Sequence, residues 1–325
     1  MKINHVLLPN LELDEKFQLP KEYKVFLNKY LENLYFEIAS DSIAMSEAVN
    51  GIIAELLLYK ELRVDWYEIV NELLEYNETP IAYSENYGKK LFGFDSQWLQ
   101  TDVHCIYNHR FIMQLLKKPM LDYEHLILQL VQPNGYIYNP TVSITNPKTR
   151  MKSELFMSLA MGFEIVGTGK IPEISRKIIS NLEHTNYIAA EYFKIRALKI
   201  INKDINQYII LANENLLQKC NTGNGYADFD VKDKIDDYMG TTKRISRDKM
   251  VGSPLITNYA SELSKKLTSE SQEAFNESLI EYSNHLRVNP LDILAFKMRD
   301  LEADFGESIT PFEVFSAYVI INKNK

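Results

Sequence analysis

Asp102, Cys105 and His109 fall at i, i+3 and i+7. On a helix that spacing gathers a carboxylate, a thiol and an imidazole on one face. Thiolate and imidazole are zinc ligands, and a carboxylate can be the third. The same residues also suit a core, with Cys105 as a small buried hydrophobe and His109 as a satisfied, half-buried imidazole. His104 points elsewhere on the wheel and nothing nearby in sequence supplies a fourth ligand, so no resident metal or cofactor is assigned.

A second cluster lies further on. Asp228, Asp230, Asp233, Asp236 and Asp237 put five carboxylates within ten residues. They repel one another unless a cation or a basic partner compensates. An EF-hand loop counted from Asp228 fails, because Lys232 and Asp233 stand where Asp, Asn or Ser and then Gly are needed, and Met239 stands in place of Glu. A magnesium site serving a diphosphate, or one Asp acting as a general acid, stays open beside a solvated loop interleaved with Lys232 and Lys234. Immediately downstream run Lys243, Arg244, Arg247 and Lys249. Arg244 and Arg247 with Lys243 could clamp a phosphate or carboxylate, or simply pair with the acids across the loop.

The elements that would position these groups are helices. Pro20 opens a segment whose Tyr23, Phe26, Leu27, Tyr30, Leu31, Leu34 and Ile38 repeat at helical spacing. Similar patterns predict helices over 98–118, 151–166, 172–183, 185–201, 204–220, 254–267, 270–286, 291–302 and 311–321. Residues 155–166 and 187–200 are apolar nearly all round, the mark of a helix buried on two sides. Residues 222–252 are the longest irregular stretch of the second half, and such a segment inside a helical body is more often functional than filler. The Pro-Asn-Gly of 133–135 predicts a turn, with at most one small β-hairpin near 135–145. Residues 1–19 carry no helical period and read as an extended arm, packed on the body or loose, before a single helical domain over 20–325.

Composition agrees. Only 12 Gly and 11 Pro occur in 325 residues, few for a turn-rich sandwich or barrel and few for the phosphate loops of nucleotide-binding α/β folds. The chain is expected to be all-α, with about twelve to fourteen helices in antiparallel pairs. Its 36 basic and 44 acidic residues leave a net charge of −8, which disfavours sequence-independent nucleic-acid binding. Two cysteines are too few for a disulfide framework. The N-terminus lacks the continuous apolar stretch of a secretory signal, and no apolar run is long enough to span a membrane. A cytoplasmic location is expected.

The alternation of a helix, a turn reading Gln129 to Tyr136, a charged stretch and a second apolar helix resembles one repeat of an α/α toroid. The terpenoid cyclases and protein prenyltransferase β-subunits have that architecture, with a Gln-x-x-x-Gly-aromatic turn between helices. Cys220–Tyr226 (CNTGNGY) resembles the same turn. The resemblance implies inner and outer helices alternating around a central cavity; the alternative is an open helical-repeat array. It implies no chemistry directly. The cyclase acid motif Asp-x-Asp-Asp is approached only by Asp228–Val231, which lacks the last Asp, and the prenyltransferase zinc set has no counterpart. If the ring exists, some of Tyr107, Phe111, Met113, Phe156, Met157, Met161, Phe163, Tyr187, Tyr192 and Phe193 would line its cavity; otherwise they are core.

Two functions follow as expectations. One is a binding or interaction protein, presenting a groove or cavity to a protein, a peptide or an apolar small molecule. The other is a toroid enzyme acting on an isoprenoid-like substrate, with the 228–249 loop at the cavity mouth.

Overall fold

The computed structural model describes residues 2–12, 18–39, 43, 45–75, 103–137, 151–181, 185–201, 207–228, 252–265, 267–292 and 309–323. These residues are predominantly helical. Among the described residues twelve helices follow a short β-hairpin: α1 (Lys21–Ala39), α2 (Met45–Tyr59), α3 (Trp66–Glu75), α4 (Val103–Leu116), α5 (Tyr123–Gln129), α6 (Met151–Val166), α7 (Glu173–Asn181), α8 (Ile188–Ile200), α9 (Gln207–Cys220), α10 (Pro254–Ser264), α11 (Ser269–Val288) and α12 (Pro311–Lys323). The segment expected to be helical at 291–302 lies almost wholly outside the described residues. None of the described helices is long and apolar enough to cross a membrane.

Two kinds of helix alternate along the chain. In α1 the buried residues are Tyr23, Leu27, Leu31 and Leu34, a single stripe. In α11 they are Phe275, Ser278, Leu279, Tyr282, Ser283 and Leu286, again a stripe. By contrast α2 is buried at every position from Gly51 to Leu57, and α8 from Ile188 to Ile195. In α12 the run from Phe312 to Ile321 is buried throughout. A stripe needs one neighbouring layer, whereas burial all round needs neighbours on every side.

The packing supplies those neighbours. Each even-numbered helix contacts the next, α2 to α4, α4 to α6, α6 to α8, α8 to α10 and α10 to α12, and α12 returns to α2. The contacts therefore form a closed circuit of six helices. The odd-numbered helices pack against pairs of these: α3 against α2 and α4, α5 against α4 and α6, α9 against α8 and α10, α11 against α10 and α12.

The two turns singled out in the sequence share a geometry. After α5, Val131 bridges Ile137 and Gly135 has φ 86°. After α9, Asn221 bridges Tyr226 and Gly225 has φ 89°. That left-handed conformation favours glycine. Tyr226 then also bridges Ser253, so the start of α10 is pinned to the end of α9. Gly252 sits at this junction, and a Cβ there would collide with the backbone of Gly225 and Tyr226, which has no soft atom to yield. Gly252→Ala is therefore expected to cost about 3 kcal/mol of stability, read from urea unfolding. A loss below about 0.5 kcal/mol would contradict this packing.

Among the described residues the sheet lies at the N-terminus, at Lys2–His5 (β1) and Leu8–Glu12 (β2), paired antiparallel with a bulge between Ile3 and His5. Residues 138–145 lie outside the described residues. The turn of this hairpin is Val6-Leu7, with none of the Gly, Asn or Asp that usually mark one. It is an apolar turn because it is a buried one: His5, Val6 and Leu8 are fully inaccessible, and β2 packs on α10 and α12. Residues 2–12 thus form a paired hairpin packed on α10 and α12.

Candidate functional site

A cavity of about 640 Å³ opens where the later turns of α4, α6, α8 and α10 converge. From α4 come Tyr107, Arg110, Phe111 and Gln114, and from α8 come Tyr192, Ile195, Arg196, Lys199 and Ile200. Spacings of three and four place each set on one helical face. Glu164 of α6 and Glu262, Leu263 and Lys265 at the end of α10 complete the wall.

A charged network crosses the cavity. The Arg196 guanidinium pairs with Glu164 through Nε, and both side chains are under one-fifth exposed. Tyr107 donates to the other carboxylate oxygen at 2.7 Å. Arg196 Nη1 donates to Tyr192 Oη at 2.8 Å and to the Val6 carbonyl at 3.1 Å. Tyr192 in turn donates to the same carbonyl at 3.2 Å. Burial works against the Arg196 charge, but Tyr192, Glu164 and Tyr107 hold its proton more firmly than usual. Burial pushes the Tyr107 phenol well above 10, and the Glu164 carboxylate pushes it the same way. Burial also raises Tyr192, against the pull of Arg196. Both tyrosines are therefore neutral hydrogen-bonding groups.

The hairpin turn forms part of this site. His5 stacks edge-on against Tyr107 and Phe111, with centroids at 5.1 and 4.8 Å. Leu7 N–H donates to His5 Nδ1 at 3.2 Å. Nε2 must then carry the proton, donated to Asn108 Oδ1 at 2.9 Å. A second proton would have to enter at Nδ1, facing an N–H. Burial holds the His5 pKa down at about 3.

No known protein family, curated protein or solved structure matches this chain. Its reading rests on the geometry.

Of the residues expected to carry chemistry, Asp102 lies outside the described residues. Cys105 is half-buried. His109 is buried and its Nδ1 shares a hydrogen bond of 2.8 Å with Tyr123 Oη, while burial lowers its pKa to about 4. Among the described residues no group of three or more His, Cys, Asp or Glu could hold a metal ion. Asp228 is placed at the opposite end of α8 from the cavity. Its Oδ1 accepts the Ala189 N–H at 2.7 Å and its backbone carbonyl accepts the Ile188 N–H at 3.1 Å, so it caps the start of α8 from across the chain. Burial pushes its carboxyl up to about 7 against the pull of those two N–H groups. Asp230, Asp233, Asp236, Asp237, Lys243, Arg244 and Arg247 all lie outside the described residues.

The cavity collects Tyr107, Phe111 and Tyr192 from the aromatic set. Sequence reasoning passed over Arg110, Glu164, Arg196 and Lys199. A usable signal existed: charged residues standing inside helices that are otherwise apolar all round, as Arg196 does between Ile195 and Ala197. Such charges need a partner or a wet cavity.

These groups set the pH dependence of stability. The folded chain refuses protons on His5 and His109 until about pH 3 and about pH 4, whereas the unfolded chain takes both near 6.5. Asp228 opposes them, holding to about pH 7 a proton that the unfolded carboxyl releases near 3.8. Between those limits unfolding takes up two protons and releases one. Stability is therefore expected to fall by about 1 kcal/mol per pH unit on acidification from about pH 6 to pH 4. His5→Leu should start less stable and show a nearly flat profile across that window, measured by urea midpoints. An unchanged slope in the variant would remove His5 from this account.

Proposed function

We propose that the chain is an α/α toroid serving as a binding protein, which takes a small molecule or a short peptide segment into the cavity between α4, α6, α8 and α10. The observation that carries this reading is the cavity itself. At about 640 Å³ it lies within the range of ligand pockets, roughly 300–1,000 Å³, and four helices of one closed circuit wall it. The circuit and the outer layer support the ring over an open array, because α12 has no reason to meet α2 in an open superhelix. The two glycine turns after α5 and α9 support the same likeness to the toroid proteins. Binding takes precedence over the enzymatic reading because Asp228, the described member of the acidic cluster, is engaged in capping α8.

The test is direct. The neutral dye N-phenyl-1-naphthylamine and the anionic dye 8-anilino-1-naphthalenesulfonate are titrated into the folded protein. One saturable site is expected. Leu263→Trp, which fills the cavity from α10, should abolish it while circular dichroism shows an intact helical fold. Binding that ignores the Leu263 substitution would sink this assignment.

A further inference from the structure

The cavity is positive in a negative protein. Its wall carries Arg110, Arg196, Lys199 and Lys265 against Glu164 and Glu262, four cations to two anions, whereas the chain as a whole carries −8. Both acids are engaged. Glu164 holds Arg196 and accepts from Tyr107. Glu262 holds Lys265 at 2.6 Å. Arg110 and Lys199 have no acidic partner among the described residues. Lys199 lies in the last turn of α8, where the helix dipole offsets part of its charge, by roughly 0.3–1 kcal/mol. Arg110 lies more than a turn before the end of α4, beyond that effect. Two uncompensated cations therefore face one concavity whose remaining wall includes Phe111, Ile195 and Leu263.

From this we infer that the ligand is an anionic amphiphile, a single oxyanion group on a compact apolar body, with Arg110 and Lys199 receiving the anion. The inference rests on the binding reading above. A bare inorganic anion would leave the apolar wall unmet, and a wholly apolar ligand would leave two cations desolvated without a partner. The guanidinium of Arg110 can engage an oxyanion through two parallel N–H groups, and Lys199 adds a point charge.

The experiment compares Kd values for the two dyes on the full chain. The sulfonate dye should bind at least about tenfold tighter than its neutral analogue at low salt, and the advantage should shrink at high salt. In the Arg110→Gln/Lys199→Gln double variant the ratio of the two Kd values should fall by about tenfold. Hexanoate should displace the sulfonate dye at concentrations where inorganic phosphate does not. A ratio that survives the double substitution overturns the inference, as does displacement by phosphate as effective as by hexanoate. If instead neither dye occupies a single site sensitive to Leu263→Trp, it is the binding reading itself that fails.

Discussion

Glu313→Ala is expected to destabilise the protein by about 3–5 kcal/mol, because it strips a buried carboxylate from two donors that have no other recourse. Glu313 is fully inaccessible in the first turn of α12. It accepts the Ser253 hydroxyl at 3.0 Å and the Leu255 N–H at 2.9 Å. Ser253 is the N-cap of α10, and its Oγ also accepts the Ile256 N–H at 3.1 Å. One carboxylate therefore lies at the starts of two helices at once, where their dipoles favour a negative charge. It also stands on the seam by which α12 closes the circuit onto α10 and α2. Alanine would leave the Leu255 N–H buried without an acceptor. Glutamine keeps an acceptor oxygen and should cost less than half as much. Thermal unfolding checks the order, and amide exchange across α12 should quicken in the alanine variant. An alanine variant within about 1 kcal/mol of the parent would show that this contact does not hold the seam.

That seam was not legible in the sequence, and the reason is physical. Local periodicity reports what a helix needs on its faces, not which distant helix will supply it. The all-round apolar character of 187–200 correctly announced a helix buried on two sides, and α8 is one. The stripe of α1 announced an amphipathic helix, and α1 buries one stripe. Nothing local in Met45–Tyr59 and Pro311–Lys323 says that they meet each other, since the contact joins opposite ends of the chain.

The hairpin was hidden for a related reason. Turn chemistry is a record of solvated turns, where Gly, Asn and Asp satisfy a backbone exposed to water. Val6-Leu7 turns inside the protein, where the carbonyls of His5 and Val6 are met by Arg196 and Tyr192. The cavity was hidden likewise. Charges in a run, such as 228–249, are conspicuous on the page. The cavity draws its charges singly from α4, α6, α8 and α10, and each looks like an isolated polar residue until the helices are assembled.

Arg196 joins these strands, and Arg196→Met carries the second large expected effect. The guanidinium holds Glu164, Tyr192 and the hairpin carbonyls together. Methionine keeps much of the packing volume and removes every donor. Glu164 would be left half-buried with only the Tyr107 hydroxyl, and the Val6 carbonyl with only Tyr192. Truncating one partner of a fully buried pair costs roughly 3–5 kcal/mol, so about 2–3 is expected for side chains that keep some access to water. The loss should be largest near the hairpin, with faster amide exchange over residues 2–8 than over α1. Adding Glu164→Gln removes the stranded charge and should recover about 1 kcal/mol or more, a coupling that a double-mutant cycle measures. The single and double variants also differ in the cavity. Arg196→Met alone lowers its charge from two positive to one and weakens the sulfonate dye. Adding Glu164→Gln restores the balance to two, and dye affinity should return with it even though the arginine is gone. If affinity instead stayed low in the double variant, Arg196 would be a direct ligand contact and not only the strut that carries the hairpin.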